Sequence, residues 1–278
     1  MKKILVPCDF SLPAINAFRF ALDVARQSKG TLQLLHVIEI PVMTHPSLFA
    51  LGTGLLKDLQ EDAERKFEKL LVKYAKEEAK VTYKVEFGVT TAVIGEYTKK
   101  NSIDLVVMGS HGASGLREVM IGSNAEKIVR TSAVPVIVIK DYFKGPVKNI
   151  VFPNSLEIEN QDELVTKVKA LQSFFKAHLH LVWINTPALF QNDDVTYERL
   201  DDFAKRYQLK DCTLAVFNHI NEETGILKYT EMTKGNMIAI GTNGRRGLAH
   251  LMMGSKAEDI VNHGKKLIWT SLIKTHRK

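Results

Sequence analysis

The sequence predicts an α/β protein with two consecutive domains, each a doubly wound parallel sheet of five strands covered by helices. Apolar runs rich in β-branched residues alternate with amphipathic helical patterns, a glycine-rich motif occurs twice, and 278 residues suffice for two domains of common size. Hydrophobic residues make up 45% and charged residues 25% of the chain, an ordinary globular composition. Each half therefore has enough apolar material for its own core.

The duplication is clearest in a glycine-bearing segment that occurs twice. Both copies read G-x-x-G, nine residues and G-S, with Ala-Glu shortly after. The first copy begins at Gly109 and the second at Gly241, and this separation of 132 residues holds through the whole motif. Such agreement of spacing and composition is typical of an internal duplication, so the sequence predicts two copies of one domain.

The two copies differ in length ahead of this motif. ILVPCD, from Ile4, resembles IVFPNS, from Ile150, but the separation here is 146 residues, so the second copy is 14 residues shorter between the landmarks. We expect the missing length after the second strand, where the first copy has a Pro- and Gly-containing stretch, residues 40–54, interpreted as a mobile excursion. The boundary is expected near residues 144–146, giving domains 1–144 and 145–278.

Each copy is predicted to run β-α-β-α-β-α-β-α-β. The strands of the first copy are KILVP, TLQLLHVI, VTYKVEF, DLVVMG and VPVIVI, with helices near residues 13–28, 57–76 and 92–100 and from Ser123. The strands of the second copy are KNIVF, HLHLVWI, CTLAVFN, NMIAIG and KLIWTSLI. Strands that are apolar almost throughout are typical of parallel sheets covered on both faces, and right-handed crossovers are expected.

Composition also narrows the class of protein. No run approaches the roughly 20 apolar residues of a membrane span, and the amino terminus has no signal-peptide pattern, so we expect a cytoplasmic location and no membrane partner. Cys8 and Cys212 form no C-x-x-C pair, which disfavours a disulfide framework or structural zinc. The net charge of +7 favours anionic partners, but the basic residues lie among acidic neighbours on amphipathic helices, so nucleic acid is disfavoured.

A ligand is expected at the carboxyl ends of the strands in the first copy, as in other open doubly wound sheets. Asp9 follows the first strand and Gly109 closes the fourth, so both face one crevice if these strands are neighbours. Glycine at 109 and at 112 allows positive φ and close backbone approach, and Gly122 with Ser123 opens a helix whose free N–H groups favour a phosphate. The serine also fits a capping box, and the two interpretations are compatible.

These motifs resemble those of nucleotide-binding members of the universal stress protein family, in which V-P-x-D ends the first strand and G-x-x-G, nine residues and G-[ST] follow. The likeness spans both halves of the chain. It implies an adenine nucleotide α-hydrolase-like, Rossmann-like fold and a role in stress response as a sensor or regulator. It also implies ATP or another adenine nucleotide as cofactor, with Mg²⁺ left open.

The same resemblance implies how the two domains associate. In the family the fifth strand, here VPVIVI and its counterpart KLIWTSL, typically pairs between domains, which would make the chain an internal pseudo-dimer. An exposed apolar edge strand invites aggregation, so this pairing has a physical motive. A further homo-oligomer or another protein partner stays open.

The resemblance assigns the site residues of the first copy. Asp9, in V-P-x-D with Pro7, and the backbone near Val37 are expected to contact the adenosine. Ribose and phosphates are expected at the glycine loops, which comprise Gly109, Ser110, His111, Gly112, Gly122, Ser123 and Asn124. The His111 ring either reaches a phosphate or bound metal or is a solvated loop side chain.

The second copy departs from this pattern. Asn154 and Ser155 stand where the first copy has Cys8 and Asp9. Trp183 falls near the position aligned with Val37, where an indole would fill an adenine slot rather than frame it. The second site is therefore expected to be empty, altered in ligand or purely structural.

Catalysis has no dedicated signal in the chain. No GxxxxGK[ST], GxSxG or HExxH motif is present. Slow ATP hydrolysis, with Asp9 or His111 orienting water, stays an alternative. The rival from another class is an interaction scaffold that has lost nucleotide binding and works through surfaces such as residues 41–54.

Two further candidate sites have simpler explanations. Cys8 is expected to be a partly buried, inert thiol, because no basic residue adjoins it in sequence. His178 and His180 alternate along one strand and share a face, which would suit a metal, but no third ligand is evident. Both are interpreted as structural.

Overall fold

The structure, a computed structural model, describes residues 1–39, 46–75, 80–111, 122–156, 161–242 and 266–272, with side chains from residue 54 onward in the second of these segments. The chain divides into two compact units. The first contains Met1–Gly115, Gly122–Ile128 and Val136–Tyr142, and the second contains Leu116–Ile121, Val129–Pro135 and Phe143–Lys278. No helix in the described ranges is long and apolar enough to cross a membrane.

The first unit alternates strands and helices in the predicted order. Its elements are β1 (Lys3–Pro7), α1 (Leu12–Ser28), β2 (Thr31–Ile38), α2 (Pro46–Tyr74), β3 (Lys80–Phe87), α3 (Thr90–Lys100), β4 (Leu105–Gly109), α4 (Ser123–Thr131) and β5 (Val136–Ile139). The strands lie in the order β3-β2-β1-β4-β5 and every neighbouring pair is parallel. The predicted α/β fold with a doubly wound parallel sheet is confirmed, and the strand order reverses between β1 and β4.

The second unit has the same strand order. Its elements are β6 (Asn149–Pro153), α5 (Asp162–Phe175), β7 (His178–Asn185), a 3₁₀ turn (Pro187–Leu189), α6 (Asp193–Arg206), β8 (Cys212–Asn218), α7 (Glu222–Met232), β9 (Met237–Thr242) and β10 (Leu267–Leu272). These strands run β10-β9-β6-β7-β8, again all parallel. The segment between β9 and β10 that carries the second glycine motif lies outside the described residues after Thr242.

Both units join their two central strands with the same hydrogen bonds. Ahead of β4, the Asp104 carboxylate accepts bonds of 2.6 and 3.0 Å from two successive backbone N–H groups at the start of β1. Ahead of β9, Asn236 Oδ1 accepts bonds of 2.7 and 3.0 Å from the equivalent N–H groups at the start of β6. The correspondence between the units thus extends from strand order to single side chains.

The units differ in length at the predicted place. β2 and β7 begin 147 residues apart, at Thr31 and His178, whereas β3 and β8 begin 132 apart, at Lys80 and Cys212. The shorter connection therefore follows the second strand of the second unit. Most of the difference is helix, because α2 has 29 residues and α6 has 14.

The prediction that residues 40–54 form an excursion outside the helices is wrong for the part that the structure describes. α2 begins at Pro46, so residues 46–54 are its first turns. Proline suits a first turn because it lacks an N–H group that would have no helical partner there. Gly54 is exposed, and a Cβ there would meet no atom within 4 Å. The helix therefore needs no glycine at this position, and Gly54 only adds the entropic cost of ordering a glycine in a helix. Residues 40–45 lie outside the described residues.

Burial follows the position of each strand in its sheet. Every residue of β4 and of β5 is buried, as expected for parallel strands covered on both faces. β3, at the edge of the first sheet, alternates exposed and partly buried positions over its first half. The sheet interior of the first unit is therefore a continuous apolar core beneath the carboxyl ends of its strands.

Gly109, the last residue of β4, is packed against the start of α1. A Cβ at this position would lie 2.8 Å from the Pro13 carbonyl carbon and 2.9 Å from the Ala14 nitrogen. Both neighbours are backbone atoms, which cannot yield without moving α1. Gly88 and Gly145 are the glycines with positive φ among the described residues, so Gly109 is required for close approach rather than for a left-handed backbone.

We expect Gly109→Ala to lower the free energy of unfolding of the chain by about 1–3 kcal/mol, the range for overpacking a tight site. Urea unfolding followed by circular dichroism measures the change. Gly95→Ala is the matched control, because a Cβ at Gly95, inside α3, would meet no atom within 4 Å. That control should raise stability by about 0.5–1 kcal/mol. Equal stability of Gly109→Ala and the unmodified protein would contradict the packing requirement.

Candidate functional site

A cavity of about 190 Å³ opens in the first unit where β1, β2 and β4 end. The strand order reverses between β1 and β4, and ligands of open α/β sheets bind outside the carboxyl ends of the strands at such a reversal. The cavity is lined by these strand ends and by residues of α1, α3 and α4. Its position makes it the candidate ligand site.

The structure brings most of the predicted site residues together around this cavity. Those that line it are Pro7, Asp9, Val37, Gly109, His111, Gly122, Ser123 and Asn124. Ser110 is buried and does not line the cavity, and its hydroxyl contacts the ring of His111 instead. Gly112 lies outside the described residues. Contact of these residues with a nucleotide stays a prediction.

Asp9 stands at the exposed rim of the cavity, just after β1. Its Oδ1 accepts hydrogen bonds from the Ser11 N–H at 3.1 Å and the Ser11 hydroxyl at 2.5 Å. Ser11 is the N-cap of α1, and its oxygen accepts from the Ala14 N–H at 3.4 Å. Between them Phe10 has a φ of 64°, an unusual left-handed conformation that turns the chain sharply. The turn and the cap together hold the Asp9 carboxylate at the cavity mouth.

Ser110 connects the end of β4 to the start of α4. Its N–H donates to the Ile139 carbonyl at 2.8 Å, and its own carbonyl accepts from the Gly122 N–H at 2.8 Å. Its hydroxyl lies 2.9 Å from His111 Nδ1. These bonds hold Gly122 and the His111 ring at the cavity. The first turn of a helix carries N–H groups without helical partners, so the start of α4 can bind an anion.

Further lining residues are not indicated by the motifs. They are Cys8, Ala14, Leu35, His36, Thr90, Ile94, Met108, Ala125 and Ile128. Most are apolar, and several belong to the buried faces of α3 and α4. Leu35 could have been predicted from the sequence, because it lies two residues before Val37 and side chains two apart share one face of a strand.

His36 and Cys8 are linked at the base of the site. His36 Nδ1 donates to the Cys8 carbonyl at 2.8 Å. The His36 ring lies against Phe10 and Phe67, with centroids 4.9 and 6.5 Å away, so it points to the face of β2 that α2 covers. Burial lowers the pKa of His36. Burial also raises the pKa of Cys8 to about 12, which agrees with the expectation of an inert thiol.

Residues 1–140, just over half of the chain, match the sequence model of the universal stress protein family. The chain belongs to the universal stress protein family. Universal stress protein YxiE of Bacillus subtilis is 30% identical over 151 residues, 50% of this chain and 98% of the relative. Universal stress protein MJ0531 of Methanocaldococcus jannaschii is 29% identical over 142 residues, 50% of this chain and 82% of the relative.

A likeness to a solved structure covers both units of this universal stress protein. The crystal structure of a universal stress protein from Archaeoglobus fulgidus superposes with a TM-score of 0.67. The match covers 99% of this chain and 97% of the other, at 15% sequence identity. At that identity the likeness shows a shared fold. The resemblance inferred from the glycine motifs is thereby confirmed at the level of family and fold.

Trp183 does not occupy the place that the sequence alignment assigns to it. The register of β6 on β7, compared with that of β1 on β2, puts Trp183 at the position of His36 and Ile184 at that of Val37. The guanidinium carbon of Arg199, on α6, lies 5.3 Å from the Trp183 ring centroid. The indole therefore packs beneath α6, on the opposite face from Ile184, and the interpretation that it fills an adenine slot is wrong.

The loop after β6 is nevertheless arranged differently from its counterpart after β1. Asn154, at the position of Cys8, exchanges hydrogen bonds of 2.8 and 3.1 Å with the buried Gln161 amide. Its Oδ1 also accepts from the Leu156 N–H at 2.7 Å. Ser155 offers a hydroxyl where the first unit has the Asp9 carboxylate. The second unit thus lacks an acidic residue at this rim position.

His178 and His180 do lie side by side, with ring centroids 4.8 Å apart. His178 is bonded through Nδ1 to Asp211 Oδ1 at 2.7 Å and through Nε2 to Thr213 Oγ1 at 2.8 Å. Both ring nitrogens of His180 are buried without a partner. Within the residues that the structure describes, no three His, Cys, Asp or Glu side chains are grouped to hold a metal ion.

His180 should make the stability of this universal stress protein depend on pH. Burial, and then the neighbouring His178, lower the pKa of His180 in the folded state. An unfolded histidine takes up a proton near pH 6.5, whereas folded His180 does so only at lower pH. The stability present above about pH 6.5 is therefore lost progressively as the pH falls through the folded pKa.

His180→Phe keeps a ring of similar shape and removes the titration. We expect its free energy of unfolding to fall less steeply between about pH 6.5 and 5 than that of the unmodified chain. Urea unfolding at a series of pH values tests this, with pH 8, where histidine is neutral in both states, as the reference. An unchanged slope would show that His180 takes no part.

Proposed function

We propose that this universal stress protein binds an adenine nucleotide in the cavity of its first unit and acts in stress response as a sensor or regulator through its bound state. One observation carries the proposal. A single cavity at the strand reversal combines a rim carboxylate, an apolar wall and the first turn of a helix. These three environments match the polar hydroxyls, flat base and anionic phosphates of a nucleotide.

The phosphates fit the start of α4. Gly122 is held there through its bond to the Ser110 carbonyl, and Ser123 and Asn124 follow in the exposed first turn. N–H groups at a helix start and the helix dipole both favour negative charge. His111, fixed through Nδ1 by Ser110, lies at the same end of the cavity as Gly122.

The nucleoside fits the apolar wall and the rim of the cavity. Val37, Ile94 and Ile128 line it from one strand and two helices and offer apolar surface to a flat base. Asp9, at the mouth, is an acceptor suited to a ribose hydroxyl or a base amino group. Its carboxylate is already oriented by Ser11, so binding does not have to order it.

Any Mg²⁺ would enter with the nucleotide phosphates. Asp9 is the one carboxylate among the described residues that line the cavity. Mg²⁺ prefers six oxygen ligands and commonly takes one or two carboxylates together with substrate phosphates and water. Since Asp9 faces the nucleoside in this assignment, a magnesium ion would be held by the phosphates and water. The ion would supply positive charge to the phosphates.

The second unit is proposed to bind no adenine nucleotide in the same manner. Ser155 replaces Asp9, and Asn154 is bonded to Gln161 rather than free to meet a ligand. Pairing of the two domains through their fifth strands, a homo-oligomer and a cytoplasmic location stay predictions.

Nucleotide content of the purified protein tests the proposal directly. Freshly purified chain is denatured, the supernatant is resolved by anion-exchange chromatography, and ATP is then titrated into stripped protein by calorimetry. We expect one equivalent of adenine nucleotide per chain. Two equivalents would contradict the assignment of the second unit. No nucleotide in either measurement would favour an interaction scaffold.

Asp9→Asn tests the rim carboxylate with little change of shape, because the amide oxygen can still accept from Ser11. We expect ATP affinity to fall about tenfold, the loss typical of one hydrogen bond to a charged group. Ser155→Ala, at the equivalent position of the second unit, is the matched control and should bind ATP as before. Unchanged affinity of Asp9→Asn would refute the role of Asp9. Turnover of ATP that this variant abolishes would instead indicate a slow ATPase.

A further inference from the structure

The start of α3 lacks the local cap that its counterpart has. Val89 is the N-cap residue of α3, and its side chain makes no capping hydrogen bond. In the second unit Asn221 holds this position, and its Oδ1 accepts from two N–H groups of the first turn of α7 at 2.9 and 3.1 Å. Because helix starts leave N–H groups without helical partners, α3 needs an acceptor from elsewhere.

Glu39 supplies this acceptor from the end of β2. Its Oε1 lies 2.6 Å from the Thr90 hydroxyl and 3.4 Å from the Thr90 N–H. Glu39 directly follows β2 and Thr90 is the first residue of α3, so the carboxylate bridges two elements beside the cavity. The short hydroxyl bond fixes the direction of the Thr90 proton.

Thr90 is also part of the cavity lining. Ile94, one turn further along α3, lines the cavity as well, so this face of the helix is turned to the site. A threonine hydroxyl has one proton and two acceptor lone pairs. Since the proton is directed at the Glu39 carboxylate, the oxygen can only accept a hydrogen bond from a ligand.

We propose that Thr90, oriented by Glu39, presents a hydrogen-bond acceptor to the cavity and selects a ligand with a donor at that place, either an amino group or a hydroxyl. This inference rests on the proposed nucleotide function and adds a specificity-determining residue to it. In a nucleotide the donor is the amino group of the base or a hydroxyl of the ribose. A 6-oxo base would bring an acceptor against an acceptor and leave both oxygens unpaired.

The second unit carries the two residue types in exchanged positions. Thr186 directly follows β7 where Glu39 follows β2, and Glu222 begins α7 where Thr90 begins α3. Among the described residues no hydrogen bond joins Thr186 to Glu222, and Asn221 caps the helix instead. The oriented acceptor therefore belongs to the unit that contains the cavity.

Calorimetric affinities for ATP, ITP, 2′-deoxy-ATP and 3′-deoxy-ATP test the proposal. We expect the unmodified chain to bind at least one analogue about tenfold more weakly than ATP, the size of one lost hydrogen bond. A penalty on ITP identifies the amino group as the donor, and a penalty on a deoxy analogue identifies a ribose hydroxyl. Thr90→Val, which keeps the shape of the side chain, should weaken ATP binding about tenfold and remove that penalty.

Three further variants separate selectivity from folding. Thr90→Ser keeps the hydroxyl and should keep the penalty, whereas Thr91→Val, the neighbour outside the lining, should leave all affinities unchanged. Glu39→Ala leaves the Thr90 hydroxyl free to rotate, so it should reduce the difference in affinity between ATP and the more weakly bound analogue. This variant tests the proposal even if Thr90→Val fails to fold. Circular dichroism confirms that each measured variant is folded.

The outcomes distinguish this inference from the function on which it rests. Tight ATP binding with equal affinity for all four nucleotides, or an unchanged penalty in folded Thr90→Val and Glu39→Ala, would overturn the role of Thr90 and leave the nucleotide site standing. Failure of the unmodified chain to bind ATP would overturn both.

Discussion

The close approach of Gly109 to the first turn of α1 is the constraint on which the site depends. It allows β4 to end directly beside the start of α1, where a side chain at residue 109 would collide with the backbone of Pro13 and Ala14. From that point Ser110 can bond at once to Gly122, ahead of α4, and to His111. Asp9 and the start of α4 therefore line the same cavity, because β1 and β4 are neighbours and end side by side.

Local patterns were sufficient to predict the fold, whereas the site depends on pairings between distant segments. Apolar runs and the duplicated motif predicted the strands, and the parallel sheets agree with them. Trp183 was misplaced by one residue, and because side chains alternate along a strand, that shift moved the indole to the wrong face. The ungapped match of TLQLLHVI with HLHLVWIN already gives the register that the contact of β6 with β7 shows. The Glu39–Thr90 bond, in contrast, spans 51 residues, and no pattern in the sequence indicates it.

Comparison of the two units separates what the fold needs from what the site needs. Asp104 and Asn236 differ in charge but accept the same pair of backbone bonds, so an acceptor at that place is a requirement of the sheet. At the strand ends the chemistry changes instead. Asp9 gives way to serine, and Thr90 gives way to Glu222. Two units of one fold can therefore differ in ligand, since function resides in the site residues.

The turn that orients Asp9 also connects the cavity rim to α2. Phe10 holds its left-handed conformation while its ring lies 4.8 Å from that of Phe67, a fully buried residue of α2. The ring of Phe10 thus connects the cavity rim with α2, a helix about twice as long as its counterpart α6. A partner that shifted α2 would act first on Phe67, then on Phe10, and so on the aim of the Asp9 carboxylate. A displacement of α2 would therefore change the affinity of the cavity for its ligand.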